Sequence, residues 1–322
     1  MARTPIVELT TKETLMSNER TRTLAPGVEI PYLGFGTYLI PDGEVAAAVR
    51  EAIRIGYRHI DTAEGYKNEA GVGAGIRQAI QSMGLSRRDI FVTTKLWPGN
   101  AAWGQTPKTT ESTIASLNES LERLELDYVD LYLIHAPYDR EQRLAQWRGL
   151  VALQEQKKAR AIGVSNFDIA HIEELESAGL PLPHANQIEL HPWSQKPKLT
   201  EYMTRRGIVP IAYSSLVPLS TWRSAPGQDS AKTAAMRSDG QSADSPFKNL
   251  ATKYGVTESQ VLLRWAIQHG YPVLPKSTNP DRIRQNADIF SFEIDQGDMT
   301  AIAAMDRGDG VAWSSGDPTK AS

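Results

Sequence analysis

The sequence predicts an α/β fold, a (β/α)₈ TIM barrel with an N-terminal β-hairpin and long loops at its C-terminal face. Three observations predict it. From Leu33 onward, short apolar runs alternate with amphipathic helical stretches, giving eight strand–helix pairs. The strand runs are continuously apolar, as strands buried on both faces are. A chain of 322 residues is long enough to wrap eight such units around one core. An open doubly wound sheet fits this regularity less well, and no internal repeat suggests a solenoid.

Residues 1–20 read as a polar lead-in and residues 21–322 as a single barrel domain. Two extended pieces between Thr21 and Tyr32 flank Ala25-Pro26-Gly27, a hairpin signal. Strand Leu33–Leu39 leads to helix Glu44–Ile55, with Val45, Ala48, Val49, Ala52 and Ile53 on its apolar face. Gly56 ends that helix, His59–Thr62 is the second strand, and Asn68 caps a helix running to Met83. Strand Ile90–Lys95 precedes helix Lys108–Leu124, which aligns Ile114, Leu117, Leu121 and Leu124. Val129–His135 with Arg140–Lys157, Ala161–Ser165 with Asp168–Ser177, and Ala185–Leu190 with Lys198–Arg206 are the next pairs. Ile208–Tyr213 is the seventh strand. A long polar segment, residues 217–246, then breaks the rhythm, as a cofactor clamp or a floppy insertion. Helix Thr257–His269, strand Tyr271–Pro275 and helix Pro280–Ala287 complete the set.

Composition narrows the function classes. With 40% hydrophobic residues, 23% charged residues and a net charge of −3, the chain has no electrostatic case for nucleic acid or an anionic membrane. Cysteine is absent, which removes disulfides, thiolate catalysis and cysteine metal sites. No apolar signal core follows a basic start, and no window approaches the ~18 apolar residues of a membrane span. A cytoplasmic protein is expected, as a monomer or weak dimer.

In such a barrel, side chains at the C-terminal ends of strands converge on one mouth. Asp61 follows the second strand, Lys95 ends the third and His135 the fourth, while Tyr66 hangs over them; later strand ends add Ser165, Asn166, Gln187 and Tyr213. Singly, each has a bland reading as a solvated or packed side chain. Together, four functional types on successive strand ends point to a site. A phenol is too weak an acid to protonate an oxyanion easily near neutrality. An adjacent ammonium favours the phenolate, so Lys95 is expected to lower the pKa of Tyr66, with Asp61 keeping Lys95 charged. His135 would orient the substrate oxygen. No group here supplies a hydride, so the site implies a redox cofactor. Lys276 and Arg282 bracket hydroxyls at a strand-to-helix loop, a setting for an anion.

Three stretches resemble the signatures of the aldo-keto reductases: GYRHIDTAEGYKNE from Gly56 to Glu69, the region Leu117 to His135 with LELDYVDLYLIH at its end, and LPKSTNPDRIRQN from Leu274 to Asn286. The resemblance runs from about Thr21 to Arg307 and implies a catalytic tetrad of Asp61, Tyr66, Lys95 and His135. It assigns Lys276, Ser277 and Arg282 to the 2′-phosphate of NADPH, and Gln285 and Asn286 to the adenine. Ser165, Asn166 and Gln187 would hold the carboxamide, Tyr213 would stack on the nicotinamide, and Ser214 and Leu216 would line the pyrophosphate path. The implied activity is NADPH-dependent reduction of an aldehyde or ketone, a small-molecule carbonyl substrate, with the proton from Tyr66.

Many family members have Trp after the catalytic His, whereas Ala136 stands here, so the wall is expected to be more open. Tyr38, Trp97, Trp103, Trp193 and Trp222 remain as apolar lining, favouring carbonyls with apolar bulk. Gly71-Val72-Gly73-Ala74-Gly75 lacks dinucleotide-fingerprint spacing and reads as close helix packing. His59 and Asp61, with His135, Glu189 and His191, suggest a metal-dependent hydrolase as an alternative, but that chemistry gives no role to Tyr66, Lys95, Lys276 and Arg282, and no metal is assigned. A cofactor-binding sensor barrel without turnover is the other alternative.

Overall fold

Seven parallel strands hydrogen-bond in chain order in the computed structural model, which describes residues 20–219, 231–308, 310, 313 and 316–321. They are β3 (Gly34–Gly36), β4 (His59–Asp61), β5 (Phe91–Leu96), β6 (Val129–Ile134), β7 (Ala159–Ser165), β8 (Ala185–Glu189) and β9 (Val209–Tyr213). Register pairs Gly36 with Asp61, Asp61 with Thr93, and Lys95 with Leu133, so the ends of successive strands rise together to one rim.

The eighth position closes the ring without forming a regular strand. Val273 bridges to Leu33 on one side and Ala212 on the other. Its N–H donates to Tyr32 O at 2.7 Å and its carbonyl accepts from Gly34 N at 2.8 Å; Gly36 N donates to Pro275 O at 3.1 Å, and Ala212 N to Pro272 O at 2.8 Å. Pro272 and Pro275 have no N–H to give, which is why the strand expected over Tyr271–Pro275 reduces to these single bridges.

The far end is stoppered by the hairpin of β1 (Thr21–Ala25) and β2 (Val28–Pro31). Leu24, Val28 and Ile30 are buried with Phe91, Ala185 and Val209, the first residues of β5, β8 and β9, and with the inward-facing Leu131, Leu133 and Ile211. Each such side chain contributes roughly 1.5–3 kcal/mol of burial.

Helices surround the barrel close to the expected bounds. Asp42–Ile55 buries Val45, Ala48, Val49, Ala52 and Ile53, and ends on Gly56 at φ 124°. The helix Glu69–Met83 packs tightly because its glycines allow it: a Cβ on Gly73 would lie 2.1 Å from Leu124 O, and one on Gly71 2.4 Å from Asp42 O. Asn68 occupies the cap position, but its side chain points elsewhere, donating to Thr37 O and Ile40 O at 2.9 Å each and so locking the preceding loop. Three helices were absent from the expected set. Ala231–Gln241 lies within the polar segment, Pro246–Tyr254 starts at its end, and Gln296–Ala303 precedes the tail. Among the described residues no helix is long and apolar enough to cross a membrane.

Candidate active site

Asp61 is the last residue of β4, Lys95 the fifth of β5, and His135 follows β6, its N–H tied to Leu96 O at 3.0 Å. Tyr66 ends a single 3₁₀ turn, Glu64–Tyr66, which is pinned from across the mouth by Trp97 N donating to Glu64 Oε1 at 2.7 Å. The structure brings all four side chains together. Lys95 Nζ donates to Asp61 Oδ1 at 2.5 Å, Thr62 O at 2.9 Å and Tyr66 Oη at 3.3 Å. Gln187 Nε2 donates to the other carboxylate oxygen of Asp61 at 2.8 Å. The His135 ring stands edge-to-face on Tyr66, centroids 5.6 Å apart.

Burial pushes the Asp61 carboxyl up and the Lys95 ammonium down, and each resists the other's shift across their contact. Protonating Asp61 would forfeit one of its two donors, so the pair is charged. Burial first, and the Lys95 charge second, hold His135 well below its ordinary value and therefore neutral. Tyr66 departs from expectation. Burial, followed by the Asp61 carboxylate and Tyr38, pushes its phenol well above the ordinary value rather than below it. Desolvation of the buried phenolate is the largest cause, and the Asp61 carboxylate, itself 2.5 Å from Lys95, opposes the ammonium's effect at the hydroxyl.

The next strand ends form a second connected set. Ser165 Oγ donates to Gln187 O at 2.8 Å; Asn166 Nδ2 donates to His135 O at 2.9 Å and to Ser165 Oγ at 3.0 Å; Tyr213 Oη donates to Asn166 Oδ1 at 2.7 Å. Asn166 and Ser214 sit at φ 63° and 54°, a left-handed conformation uncommon outside glycine and frequent at functional sites. Ser214 O accepts from Val217 N at 3.0 Å, and Leu216 packs against the core.

The Lys276–Arg282 loop is exposed. Neither Lys276 nor Arg282 forms an ion pair among the described residues. Ser277 Oγ accepts from Asn279 N at 3.0 Å, and the Asn279 side chain caps the following helix by accepting from Asp281 N and Arg282 N. The first free amides of that helix are thus already satisfied, so the cations and hydroxyls carry any anion. Asn286 is buried, while Gln285 lines a cavity of about 660 Å³ with Tyr254 and Arg284.

Of the expected aromatic lining, Tyr38 and Trp97 are in place: Tyr38 lies 5.0 Å from the Tyr66 ring and Trp97 5.6 Å from His135. Trp193 is not. It is buried with Val217, Phe247 and Leu262 beneath the Arg307 guanidinium, 4.0 Å from its ring, because the strand-end turn at His191–Ser194 folds it toward helix Pro246–Tyr254. Trp222 lies outside the described residues. Trp103, also expected, stacks on Trp97 at 6.1 Å, and two aromatic neighbours emerge that sequence reasoning did not place at the site: Trp313 at 6.0 Å from His135 and Tyr138 at 5.8 Å from Trp97. Tyr138, three residues after His135, was the one with a local signal. The wall beside His135 is therefore aromatic despite Ala136, which is itself fully buried. His59 is bonded to Thr93 Oγ1 at 2.9 Å and His191 to Glu189 at 2.9 Å, and among the described residues no group of three His, Asp or Glu side chains could hold a metal ion.

The sequence matches the profile of the aldo/keto reductase family over residues 32–307. It is 39% identical over 287 residues to a glyoxal reductase of Bacillus subtilis, covering 88% of this chain and 92% of that one. It is 34% identical over 294 residues to a methylglyoxal reductase of Escherichia coli, covering 91% and 96%. A Bombyx mori aldo-keto reductase solved in complex with NADP superposes with a TM-score of 0.78 at 35% identity, covering 89% of this chain and 93% of that one. With these matches spanning the barrel from end to end, the chain belongs to the aldo-keto reductase family and is an oxidoreductase.

Proposed function

We propose that this chain reduces an aldehyde or ketone to the alcohol with NADPH, and that Tyr66 delivers the proton. The observation that carries the reading is the way Lys95 is used up. An ammonium has three donors, and Lys95 meets three acceptors, the last of them the Tyr66 oxygen. Tyr66 thus accepts from behind, and its own O–H is left to face the mouth.

A nicotinamide held there would supply the hydride. As negative charge grows on the substrate oxygen, the Tyr66 O–H transfers its proton there. The raised pKa of Tyr66 does not forbid this, because an alkoxide is a far stronger base than a phenolate. Lys95 then stabilises the phenolate at its side, and the buried setting strengthens that attraction. Neutral His135 orients the carbonyl as an uncharged donor.

The residues present fit the cofactor. Asn166 Nδ2 has both protons committed, but Asn166 Oδ1 keeps a lone pair and Gln187 Oε1 has no partner among the described residues, so both can accept from a carboxamide NH₂. Lys276 and Arg282, with no ion pair among the described residues, suit a 2′-phosphate. Cells keep NADPH largely reduced, which favours reduction over oxidation. The aromatic wall favours carbonyls with apolar bulk over the smallest dicarbonyls for which two relatives are named.

The test is titration with NADPH beside NADH, followed through cofactor fluorescence, and then nicotinamide absorbance with a panel of aldehydes and ketones. Tight, NADPH-preferring binding with turnover is expected. Binding without turnover on any carbonyl would replace the reductase with a sensor, and no binding would remove the cofactor as well.

A further inference from the structure

Trp313 stands at the mouth, and four contacts meet on it, one of them edge-to-face with Tyr138 at 6.0 Å. Its indole Nε1–H donates to Tyr213 Oη at 2.8 Å; its ring is edge-to-face on His135 at 6.0 Å; and it lies nearly parallel to Trp97, 11° between planes with centroids 6.5 Å apart. Tyr213 in turn donates to Asn166 Oδ1 at 2.7 Å, and Asn166 donates to His135 O at 2.9 Å. A chain of hydrogen bonds therefore runs from the tail through Tyr213 and Asn166 to the backbone of His135. The tail is anchored on both sides of Trp313. Before it, Gln195 N donates to Asp306 Oδ1 at 3.0 Å, and Arg307 N donates to Trp193 O at 3.0 Å. Beyond it, Asp317 is buried against Lys196, and Ala321 O bonds His171 Nε2 at 2.9 Å.

We propose that Trp313 is a positioning residue with two outputs: through its N–H it fixes the Tyr213–Asn166 pair against which a nicotinamide would rest, and through its ring it builds, stacked with Trp97, the aromatic wall of the carbonyl pocket. A hydroxyl hydrogen bond lies at the edge of the Tyr213 ring, so it sets the ring's orientation while leaving its face free to stack. The proposal rests on the reading of Tyr213 and Asn166 as the nicotinamide site.

The two outputs separate by mutation. Trp313→Phe keeps a ring and loses the donor; Trp313→Ala loses both. Trp313→Phe is expected to weaken NADPH binding about fivefold, as loss of one neutral hydrogen bond does, with KM for an aryl aldehyde such as benzaldehyde little changed. Trp313→Ala is expected to add a severalfold rise in that KM. In a Tyr213→Phe background, Trp313→Phe is expected to cause no further loss of NADPH affinity, because the partner hydroxyl is already gone. That non-additivity is what a merely structural tail residue would not show. Fully additive losses, unchanged affinity in Trp313→Phe, or a rise in kcat/KM when Trp313 is removed would overturn the proposal, the last showing Trp313 to be a plug. Absence of cofactor binding in the wild-type chain would instead fail the underlying functional reading and take this one with it. Thermal unfolding of each variant separates local effects from loss of the fold.

Discussion

Around the buried Lys95 three donors meet three acceptors, whereas around Lys276 and Arg282 two cations stand exposed with no ion pair among the described residues. On the proposed reading the difference follows from what each region would have to do. A proton donor must be aimed before the reaction begins, so its ordering entropy is met during folding by strand ends fixed in register. A phosphate-holding pair has only to meet a charge, and the ligand can order it on arrival.

The sharpest way to break this comparison is Tyr66→Phe. It removes the proposed proton-donating O–H, and turnover is expected to fall roughly 10²- to 10⁴-fold with NADPH affinity near wild type; steady-state rates and a binding titration read both. Retained turnover would end the proton-donor role. Lys276→Met tests the exposed region and is expected to weaken NADPH about 10- to 100-fold while leaving NADH nearly unchanged. Equal weakening of the two would remove the 2′-phosphate assignment.

The buried region should also respond to acid where the exposed one does not. Burial pushes His59 down to about 3 and holds His135 well below its usual range, so below pH ~6.5 the unfolded chain binds protons that the folded chain refuses. Stability must therefore fall as pH drops, by up to about 1.4 kcal/mol per pH unit for each histidine. Urea unfolding at pH 7, 6 and 5 should show this slope, and His59→Gln should make it shallower; an identical slope in the variant would mean His59 does not contribute. The smallest effect is expected at Trp103, which is 48% exposed and stacks on Trp97. Trp103→Ala should raise KM for an aryl aldehyde about two- to fivefold and leave cofactor binding alone. A change in cofactor affinity would show that the aromatic rim reaches further than its contacts suggest.

Much of the buried region was legible in the sequence because local rules govern it. Gly56 ends a helix, His59–Asp61 must be a strand, and strand parallelism then carries Asp61, Lys95 and His135 to one rim. The glycine-rich helix also read correctly, since Gly73 leaves no room for a side chain against Leu124. What escaped depended on distance. The Tyr66 pKa shift reversed because burial dominates and the Asp61 carboxylate adds to it, a balance that no spacing encodes. Trp193 was drawn away from the pocket by Phe247, more than fifty residues later. Trp313 arrives from the tail with nothing in its neighbourhood to announce its partner. The irregular eighth strand lies between these extremes, for Pro272 and Pro275 were visible and their missing donors could have been counted.

The stopper formed by Leu24, Val28 and Ile30 has a consequence for traffic through the barrel. An apolar seal offers no file of water to the interior from below, and Lys95, with every proton engaged, is a fixed charge rather than a carrier. On the proposed reading, a proton leaving Tyr66 must be replaced from the mouth. Reloading the acid and releasing the alcohol then use the same doorway, so one opening event serves both halves of each cycle.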